Sequence, residues 1–349
     1  MTQYTLFTDP HLGTRRAAHT TRESAKKLTQ ALFDQALTIA ENGYNPICLG
    51  DLFDRACNEE AILVQGFQVS SNCLWTLAGN HDSTNREGTV TSLDALKALH
   101  CPIVSSPDLS TPYHLYLGDG IFMVPHHASQ ELFETALFHA AEHAAHDRGG
   151  KASVLMLHCN YDAPDFMQVE DDTLNLSAEV AERLLNAFDY ILLGHEHRPA
   201  TFFDGRVVIL GNTHPTSFSD ISDKFSYVLD IGDGHVSIEP ELIWSQERGF
   251  REIRYGDPVP DLSGVQFVSV FGIAEAEQSV AVADFVQEVW SAGADLLAVR
   301  NNVMIGQAFN EVQEPGESKL GDLKTHIAAE LQGTDLADLF STLAAEVSA

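Results

Sequence analysis

The sequence predicts an α/β protein with one large N-terminal domain, a small α/β domain and a helical C-terminal tail. Three observations support this fold class. The N-terminal part alternates short apolar segments of strand length with amphipathic stretches of helix length. The chain has 349 residues, more than one compact core usually holds. Hydrophobic residues make up 44% of it, which is typical of a globular protein.

Buried strands are predicted at short apolar segments of the large domain. These segments are Tyr4 to Thr8, Pro46 to Leu49, Leu74 to Leu77, Ile121 to Val124, Ser153 to Leu157 and Tyr190 to Leu193. An amphipathic helix is predicted from Arg22 to Ala40, with Leu28, Leu32, Ala36 and Ile39 on one face. Polar clusters directly follow most of these strands. In an open α/β sheet, that edge is where ligands bind.

Two boundaries are predicted in the rest of the chain. Short strands with Gly and Asp turns run from Val207 to Ile243, and a polar stretch follows from Ser245 to Gly264. We expect residues 1–250 to form the large domain, residues 251–312 a small α/β domain and residues 313–349 the tail. The small domain is predicted as strand, helix and strand, at Gln266 to Phe271, Gln278 to Trp290 and Leu296 to Arg300.

The tail is predicted to contain two amphipathic helices. Their apolar residues are Leu320, Leu323, Ile327 and Leu331 in the first, and Leu336, Leu339, Phe340 and Leu343 in the second. Such a stripe must be covered by another surface. Two coverings stay open: the tail packs back on its own chain, or it docks onto a partner. The Pro/Gly-rich link at Glu311 to Ser318 would let it reach away.

The charge balance is strongly acidic. Twenty Lys and Arg oppose fifty Asp and Glu, which gives a net charge of −30 at pH 7. Such a field repels nucleic acid unless basic residues are locally concentrated, or a metal or partner supplies positive charge. Six basic residues do lie early in the chain, at Arg15, Arg16, Arg22, Lys26, Lys27 and Arg55. Solubility or a salty cytoplasm is the alternative reason for the acidity.

The cysteines and the N-terminus indicate a reducing, intracellular location. The five cysteines include no C-x-x-C pair, and their number is odd, so we expect reduced thiols. The N-terminus lacks the basic start and apolar stretch of a signal peptide, and no apolar run is long enough to cross a bilayer. We expect a cytoplasmic protein, in a host cytoplasm if it is phage-encoded.

Five polar clusters contain the chemically informative residues. They are Asp9-Pro10-His11, Gly50-Asp51-Leu52-Phe53-Asp54, Gly79-Asn80-His81-Asp82, His158, and Gly194-His195-Glu196-His197. Carboxylate, imidazole and amide groups of this kind suit two divalent metals. Alternation along an extended strand end would put Asp9 and His11 on one side. One such cluster alone is usually a turn or a surface group, but five in order at strand ends are highly specific.

These motifs resemble the calcineurin-like metallophosphoesterases, whose pattern is D-x-H, G-D-x-x-D, G-N-H-D or E, H, and G-H-x-H. The resemblance covers about residues 1 to 245. It implies a four-layer α-β-β-α sandwich and two bound metals, with Asp51 as the bridge between them. The implied ligands are Asp9, His11, Asp51 and His197 for one metal, and Asp51, Asn80, His158 and His195 for the other. His81 would act on the substrate's phosphoryl group, oriented by Asp54.

The sequence leaves alternatives for the role of several histidines and for the identity of the metal. Manganese suits mixed nitrogen and oxygen ligands, while iron, zinc and magnesium stay open. His126 and His127 compete with His158, and stay open between the rim of the site and an ordinary loop. Four further candidates for substrate binding are Arg15, Arg16, His126 and His214. His139, His143 and His146 recur at helical spacing, and we expect them to face solvent.

Within the superfamily the chain most resembles the SbcD-type nuclease subunits of double-strand-break repair complexes. Three segments carry this resemblance. They are Thr8-Asp9-Pro10-His11-Leu12-Gly13, the loop Gly211 to Phe218, and Arg248 to Ile253, which leads into a β-α-β unit. It implies a DNA nuclease that acts in repair or recombination and carries a capping domain. It also implies a partner, the SbcC-type SMC-like ATPase. A homodimer is a further possibility. Asp54 stands where some members have His, and Arg300 is the only basic residue from Val265 to Asn302. A small-molecule phosphodiesterase or phosphatase is the alternative.

Overall fold

The structure is a computed structural model of the chain. It describes residues 2–14, 20–84, 88–147, 152–163, 173–232 and 234–306. Arg15, Arg16 and the whole predicted tail, residues 313–349, lie outside the described residues. The expectations about them therefore stay predictions.

Seventeen strands and seven α-helices are described. The strands are β1 Thr2–Phe7, β2 Ile47–Cys48, β3 Trp75–Leu77, β4 Ile103–Val104, β5 Leu115–Tyr116, β6 Ile121–Val124, β7 Val154–His158, β8 Asn160–Tyr161, β9 Asn175–Leu176, β10 Tyr190–Gly194, β11 Ala200–Phe202, β12 Val207–Ile209, β13 Lys224–Gly232, β14 His235–Trp244, β15 Phe250–Arg254, β16 Phe267–Glu275 and β17 Ala298–Gly306. The helices are α1 Arg22–Asn42, α2 Glu60–Asn72, α3 Ser92–Ala98, α4 Gln130–Asp147, α5 Ala178–Leu184, α6 Gln246–Gly249 and α7 Ser279–Ala292. A 3₁₀ turn, Ala276–Gln278, precedes α7.

Two six-stranded mixed sheets form the large domain. The first has the order β14-β13-β1-β2-β3-β4, and the second has the order β11-β12-β10-β7-β6-β5. In the first sheet, β1 to β4 are parallel to one another and β13 is antiparallel to β1. In the second, β6, β7, β10 and β12 are parallel. The polar turns after these parallel strands therefore lie along one edge of each sheet.

Helices flank both sheets, and the core lies in three layers of apolar side chains. The layer between the sheets contains Leu6 and Leu77 from the first sheet and Met156 and Leu192 from the second. A second layer packs the first sheet against α1, α2 and α3. A third packs the other sheet against α4 and α5. This confirms the expected α/β class with two mixed sheets and flanking helices.

Helix α1 begins where its sequence predicts. Thr21 caps it, and Thr21 and Ser24 bond reciprocally to each other's main-chain N–H. Its buried face includes Leu28, Leu32 and Ala36, as the apolar spacing indicates. Gly43 follows the helix and its N–H donates to the carbonyl of Ile39.

The C-terminal unit is a three-stranded parallel sheet in the order β15-β16-β17, with α7 packed on one face. The predicted strand–helix–strand pattern is present, and the strand Phe250–Arg254 adds a third strand at its edge. Both predicted strands extend further than expected, to Glu275 and Gly306. Parallel pairing over nine positions accounts for this length.

An apolar interface joins the C-terminal unit to the large domain. Phe267 of β16 packs with Trp244 of β14 and Leu28 and Leu32 of α1. The indole Nε1 of Trp244 donates to Gln266 Oε1 at 2.6 Å. The small unit is thus held against the helix that follows the first polar cluster.

Within the described residues, none of the helices is both long enough and apolar enough to cross a bilayer.

Replacing Phe267 by Ala should lower the free energy of unfolding by about 3–5 kcal/mol, because its ring is fully buried between the two units. Urea denaturation followed by tryptophan fluorescence measures the change. The matched control is Phe271→Ala on the same strand, where the ring is 42% exposed and the expected change is within about 0.5 kcal/mol. Equal losses in both variants would show that the interface contributes nothing.

Candidate metal centre

Both sheets contribute to one cluster of polar side chains. The first sheet supplies Asp9 and His11 after β1, Asp51 after β2, and Asn80 and His81 after β3. The second sheet supplies His158 at the end of β7, and His195 and His197 after β10. All of the predicted ligand residues are therefore brought together where the two sheets meet. Three groups of His and carboxylate side chains lie there, and within each group the candidate ligand atoms are all within 4.8 Å of one another.

The backbone at this edge is not extended. Asp9, His11, Asp51 and His195 have φ of 54°, 45°, 47° and 90°. The expectation that Asp9 and His11 share a side through strand alternation is wrong, because β1 ends at Phe7. Left-handed backbone at non-glycine residues is costly and concentrates at functional sites. Here it turns successive side chains back toward one point.

Glycines beside the ligands make room for neighbouring side chains. A Cβ at Gly50 would overlap the ring of His158, and one at Gly79 would overlap the Asp51 carboxylate. At Gly194 a Cβ would collide with Thr8 and with the carbonyl of Leu49. Of these three glycines, only Gly50 has a positive φ. Their common requirement is therefore close packing of the ligand residues.

The first group consists of Asp9, His11 and His197. Nε2 of His11 lies 3.0 Å from Nε2 of His197 and 3.6 Å from Asp9 Oδ1. Two imidazole nitrogens facing each other at this distance can share a proton or can bind one cation from two sides. With the carboxylate beside them, they match the ligand set predicted for one metal.

The second group consists of Asp51, His158 and His195. Nε2 of His158 lies 3.2 Å from Asp51 Oδ2, and Nδ1 of His195 lies 3.1 Å from Asn80 Oδ1. Asp51 Oδ2 is also 3.9 Å from His11 Nε2, in the first group. Asp51 thus stands between the two groups, where a bridging ligand would be required.

Three buried atoms in the centre have no hydrogen-bond partner among the described residues: Asp9 Oδ1, His11 Nδ1 and His158 Nε2. Other atoms of the same side chains are bonded, since Thr8 Oγ1 donates to Asp9 Oδ2 and His158 Nδ1 donates to the carbonyl of Leu49. Buried polar atoms are normally paired, so the unpaired ones mark where a ligand fits. The bond from Nδ1 of His158 to the Leu49 carbonyl leaves Nε2 of that ring available to a metal, as in known metal sites. The residues present therefore fit two divalent cations.

The pKa values in the centre result from two opposing effects, burial of the ionisable groups and the opposite charges beside them. Burial alone raises the pKa of Asp51, but the neighbouring His158 and His11 outweigh it and hold that pKa well below its usual range. Burial lowers the pKa of His158, but Asp51 and Asp9 outweigh it and raise that pKa to about 10. A cation entering here must displace the imidazole proton, so metal affinity should increase with pH.

His81 lies beside both groups and is exposed. Its Nδ1 donates to the main-chain carbonyl of Asp54 at 2.9 Å. The Asp54 carboxylate instead accepts from Thr14 Oγ1 and lies 3.8 Å from His11 Nδ1. Asp54 can therefore orient His81, but through its carbonyl and not through the carboxylate. Burial lowers the pKa of His81, and Asp51 with the Asp54 carbonyl outweighs it, so that pKa is raised.

Residues 3–199 match the calcineurin-like phosphoesterase family. The chain belongs to that family. No curated protein matches it. A solved structure described as a candidate 5′-nucleotidase from Staphylococcus aureus, in complex with alpha-ketoglutarate, has a TM-score of 0.42 and 15% sequence identity. The match covers 69% of this chain and 53% of that one, so the chain spans about half the length of that protein. A likeness at this level carries no argument about function.

Two carboxylates that support the phosphoesterase centre were not predicted from sequence. Asp82 accepts from the main-chain N–H groups of Leu52, Phe53 and Gly79, and so ties the second motif to the third. Its place in the Gly79–Asp82 motif was the available signal. Asp220 lies 3.3 Å from His197 Nδ1. No motif marks it, because it comes from a loop far along the chain.

Asp220 is itself firmly held. Its carboxylate accepts from Asn212 Nδ2 and from the N–H groups of Thr216 and Ser217. Burial raises its pKa, but the bond to His197 and the charge of Lys224 outweigh it and keep that pKa well below the usual range. Lys224, fully buried, donates from Nζ to the carbonyl of His197. These contacts fix the orientation of His197, the last of the candidate metal ligands.

The other predicted histidines lie outside the group of ligands. His214 is buried, with its ring nitrogens against Pro215 O and Gln266 Oε1, so it cannot contact substrate as predicted. His127 is a loop residue, bonded to Pro125 O and accepting from Tyr113 N. His126 is buried, its N–H donates to Ala78 O, and Nδ1 has no partner among the described residues. Burial and His158 lower its pKa to about 3.

The solvent-facing prediction for the helical histidines is correct for His139 and His146, which are exposed on α4. It is wrong for His143, which is half-buried. The His143 ring packs on Tyr116 and Phe122, and its Nδ1 lies 3.1 Å from His114 Nε2. Side chains of β5 and β6 cover it, and sequence spacing alone does not reveal that.

Replacing Asp220 by Asn should weaken metal binding about 10–100-fold, because His197 loses its charged orienting partner. Titration of the metal-free protein with Mn²⁺, followed by calorimetry, measures the affinity. Asp223→Asn is the matched control, since that exposed carboxylate accepts only from Gln246 N in the described structure. Unchanged affinity in the Asp220 variant would show that the contact of Asp220 with His197 does not support metal binding.

Proposed function

We propose that this phosphoesterase is a two-metal DNA nuclease of the SbcD type, working in repair or recombination with an SMC-like ATPase partner. The observation that supports it most is the exposed His81 beside a ligand set shared by two sheets, with Asp51 between its halves. The β-α-β unit packed against α1 supports the nuclease branch, because the resemblance expects a capping domain there.

Seven residues would hold the two cations. They are Asp9, His11 and His197 on one side, Asn80, His158 and His195 on the other, and Asp51 between them. When bound, two such cations supply a nucleophile at neutral pH and neutralise the phosphoryl charge. The manganese assignment rests on the mixed nitrogen and oxygen ligands.

The chain's own residues can direct the proton chemistry. Because Nδ1 of His81 donates to the Asp54 carbonyl, its Nε2 is the nitrogen left to meet the substrate. The raised pKa of His81 favours the protonated ring, in which Nε2 can donate to a phosphoryl oxygen or to the leaving oxygen. The main-chain N–H of His81 donates to Asp51 Oδ1 at 3.0 Å, which fixes the turn that presents the ring.

A small-molecule phosphodiesterase or phosphatase is the second candidate. The net charge of −30 favours it, since such a field opposes a long polyanion more than a small one. A partner that supplies a basic surface would remove this objection. The tail is the segment we propose for docking that partner, because its apolar stripes require a cover.

Replacing His81 by Gln should leave two metals bound and lower kcat on bis(p-nitrophenyl) phosphate about 10²–10⁴-fold, since one acid–base group is lost. Metal analysis and steady-state kinetics measure the two effects. His139→Gln, at an exposed position of α4, is the matched control. Loss of metal from the His81 variant would mean that His81 is a ligand.

The nuclease itself is tested on linear duplex DNA with Mn²⁺, with and without the ATPase. We expect the full chain to process ends with the partner, and Asp51→Asn to be inactive and poor in metal. A chain truncated after Gly316 should keep its metals and its activity on the small diester, but should lose ATPase binding and end processing.

Two outcomes would contradict these expectations separately. Turnover of the small diester with no cleavage of DNA under any condition favours the second candidate. If truncation after Gly316 unfolds the protein, measured as lost far-UV ellipticity, then the tail belongs to the core and does not dock a partner.

A further inference from the structure

Two arginines, one from each structural unit, meet at a single turn beside the metal centre. Arg198 donates from Nη2 to the carbonyl of Ser219 at 2.8 Å. Arg300 lies with its Cζ 4.7 Å from the centre of the Phe218 ring. The two guanidinium groups therefore contact consecutive residues of the same turn.

That turn is tied directly to a proposed metal ligand. Asp220, at its end, contacts His197 Nδ1 at 3.3 Å. Arg198 is the next residue in the chain after His197. Lys224 donates to the carbonyl of His197 from the other side. Lys224 and Arg198 thus adjoin His197 directly, and Arg300 contacts the turn that ends at Asp220.

Neither arginine forms an ion pair with a carboxylate in the described part of the chain. The Nε of Arg300 is buried and has no hydrogen-bond partner there. Stacking on Phe218 covers the face of the guanidinium and leaves the donors in its plane without an acceptor.

The small unit directs Arg300 toward the large domain. Val299 packs under α7 in the core of the small unit. Because strand side chains alternate, Arg300 lies on the opposite face, the one on which Ala298 and Phe267 pack against α1 of the large domain. It pairs in register with Ser269 of the central strand, and it is the only basic residue from Val265 to Asn302. The one basic residue of this stretch therefore lies on the face that packs against the large domain, where it contacts Phe218.

We propose that Arg198 and Arg300 form an anion subsite that binds a second phosphate of the substrate, next to the phosphate held at the metals. The inference rests on the proposed function and narrows it. Guanidinium groups bind phosphate through two parallel N–H donors, which an unpaired arginine edge provides. The substrate class is then a chain with successive phosphates, such as a nucleic acid strand, and not a lone diester.

The test compares substrates that differ by one phosphate. Thymidine 5′-(p-nitrophenyl phosphate) is assayed with and without a 3′-phosphate, and thymidine 3′-(p-nitrophenyl phosphate) with and without a 5′-phosphate. With Mn²⁺, we expect the added phosphate to raise kcat/KM about 10-fold or more in at least one pair. Arg300→Gln and Arg198→Gln should remove most of that ratio, and Arg300→Lys should retain part of it.

Arg183→Gln is the matched control, because Arg183 stacks in the same way on Phe138, 4.5 Å from its centre, on the outer face of the second sheet. It should keep the full ratio. The proposal is overturned if neither pair shows a preference, or if the Arg300 and Arg198 variants lower both members of a pair equally. Absence of duplex cleavage would count only against the nuclease, since these esters require no DNA recognition.

Discussion

Two buried carboxylates lie where the sheets meet, and the surrounding structure compensates their charge. Asp9 and Asp51 are 0% and 1% exposed. Burying such charges is costly unless they are bonded and paired. The main-chain N–H of His195 donates to Asp9, that of His81 donates to Asp51, and the ring of His158 lies against both. One oxygen of Asp9 is still without a donor in the described residues, and divalent cations would complete the compensation.

The supporting groups come from progressively more distant parts of the chain. Asp82 holds two motif turns together within the first sheet. Asp220, in the loop that precedes β13, and Lys224, the first residue of β13, hold His197. That same loop contacts Arg300 of the small unit. The position of the small unit is therefore linked by direct contacts to the geometry of a metal ligand, although about a hundred residues separate Arg300 from His197.

The sequence located the residues that cluster where the sheets meet, because they lie in short motifs and parallel strands bring such motifs to one edge. It also located α1, whose apolar spacing is regular over its whole length. Other features depended on contacts between distant segments. No local sequence pattern predicts three of them: the antiparallel pairing of β13 with β1, the contact of Gln266 with His214, and the contact of Asp220 with His197. The use of the Asp54 main-chain carbonyl to hold His81 was not predictable for a related reason, since a motif names a residue and not which of its oxygens makes the contact.

The left-handed backbone at Asp9, His11, Asp51 and His195 has a consequence for how the protein can evolve. At each position glycine would adopt the same backbone without the steric penalty, so loss of the ligand would relieve part of the local strain. At these four positions, the residue that favours stability therefore differs from the residue that favours activity. Lineages freed from the need for catalysis would be expected to lose the metal-binding side chains early while keeping the sandwich intact.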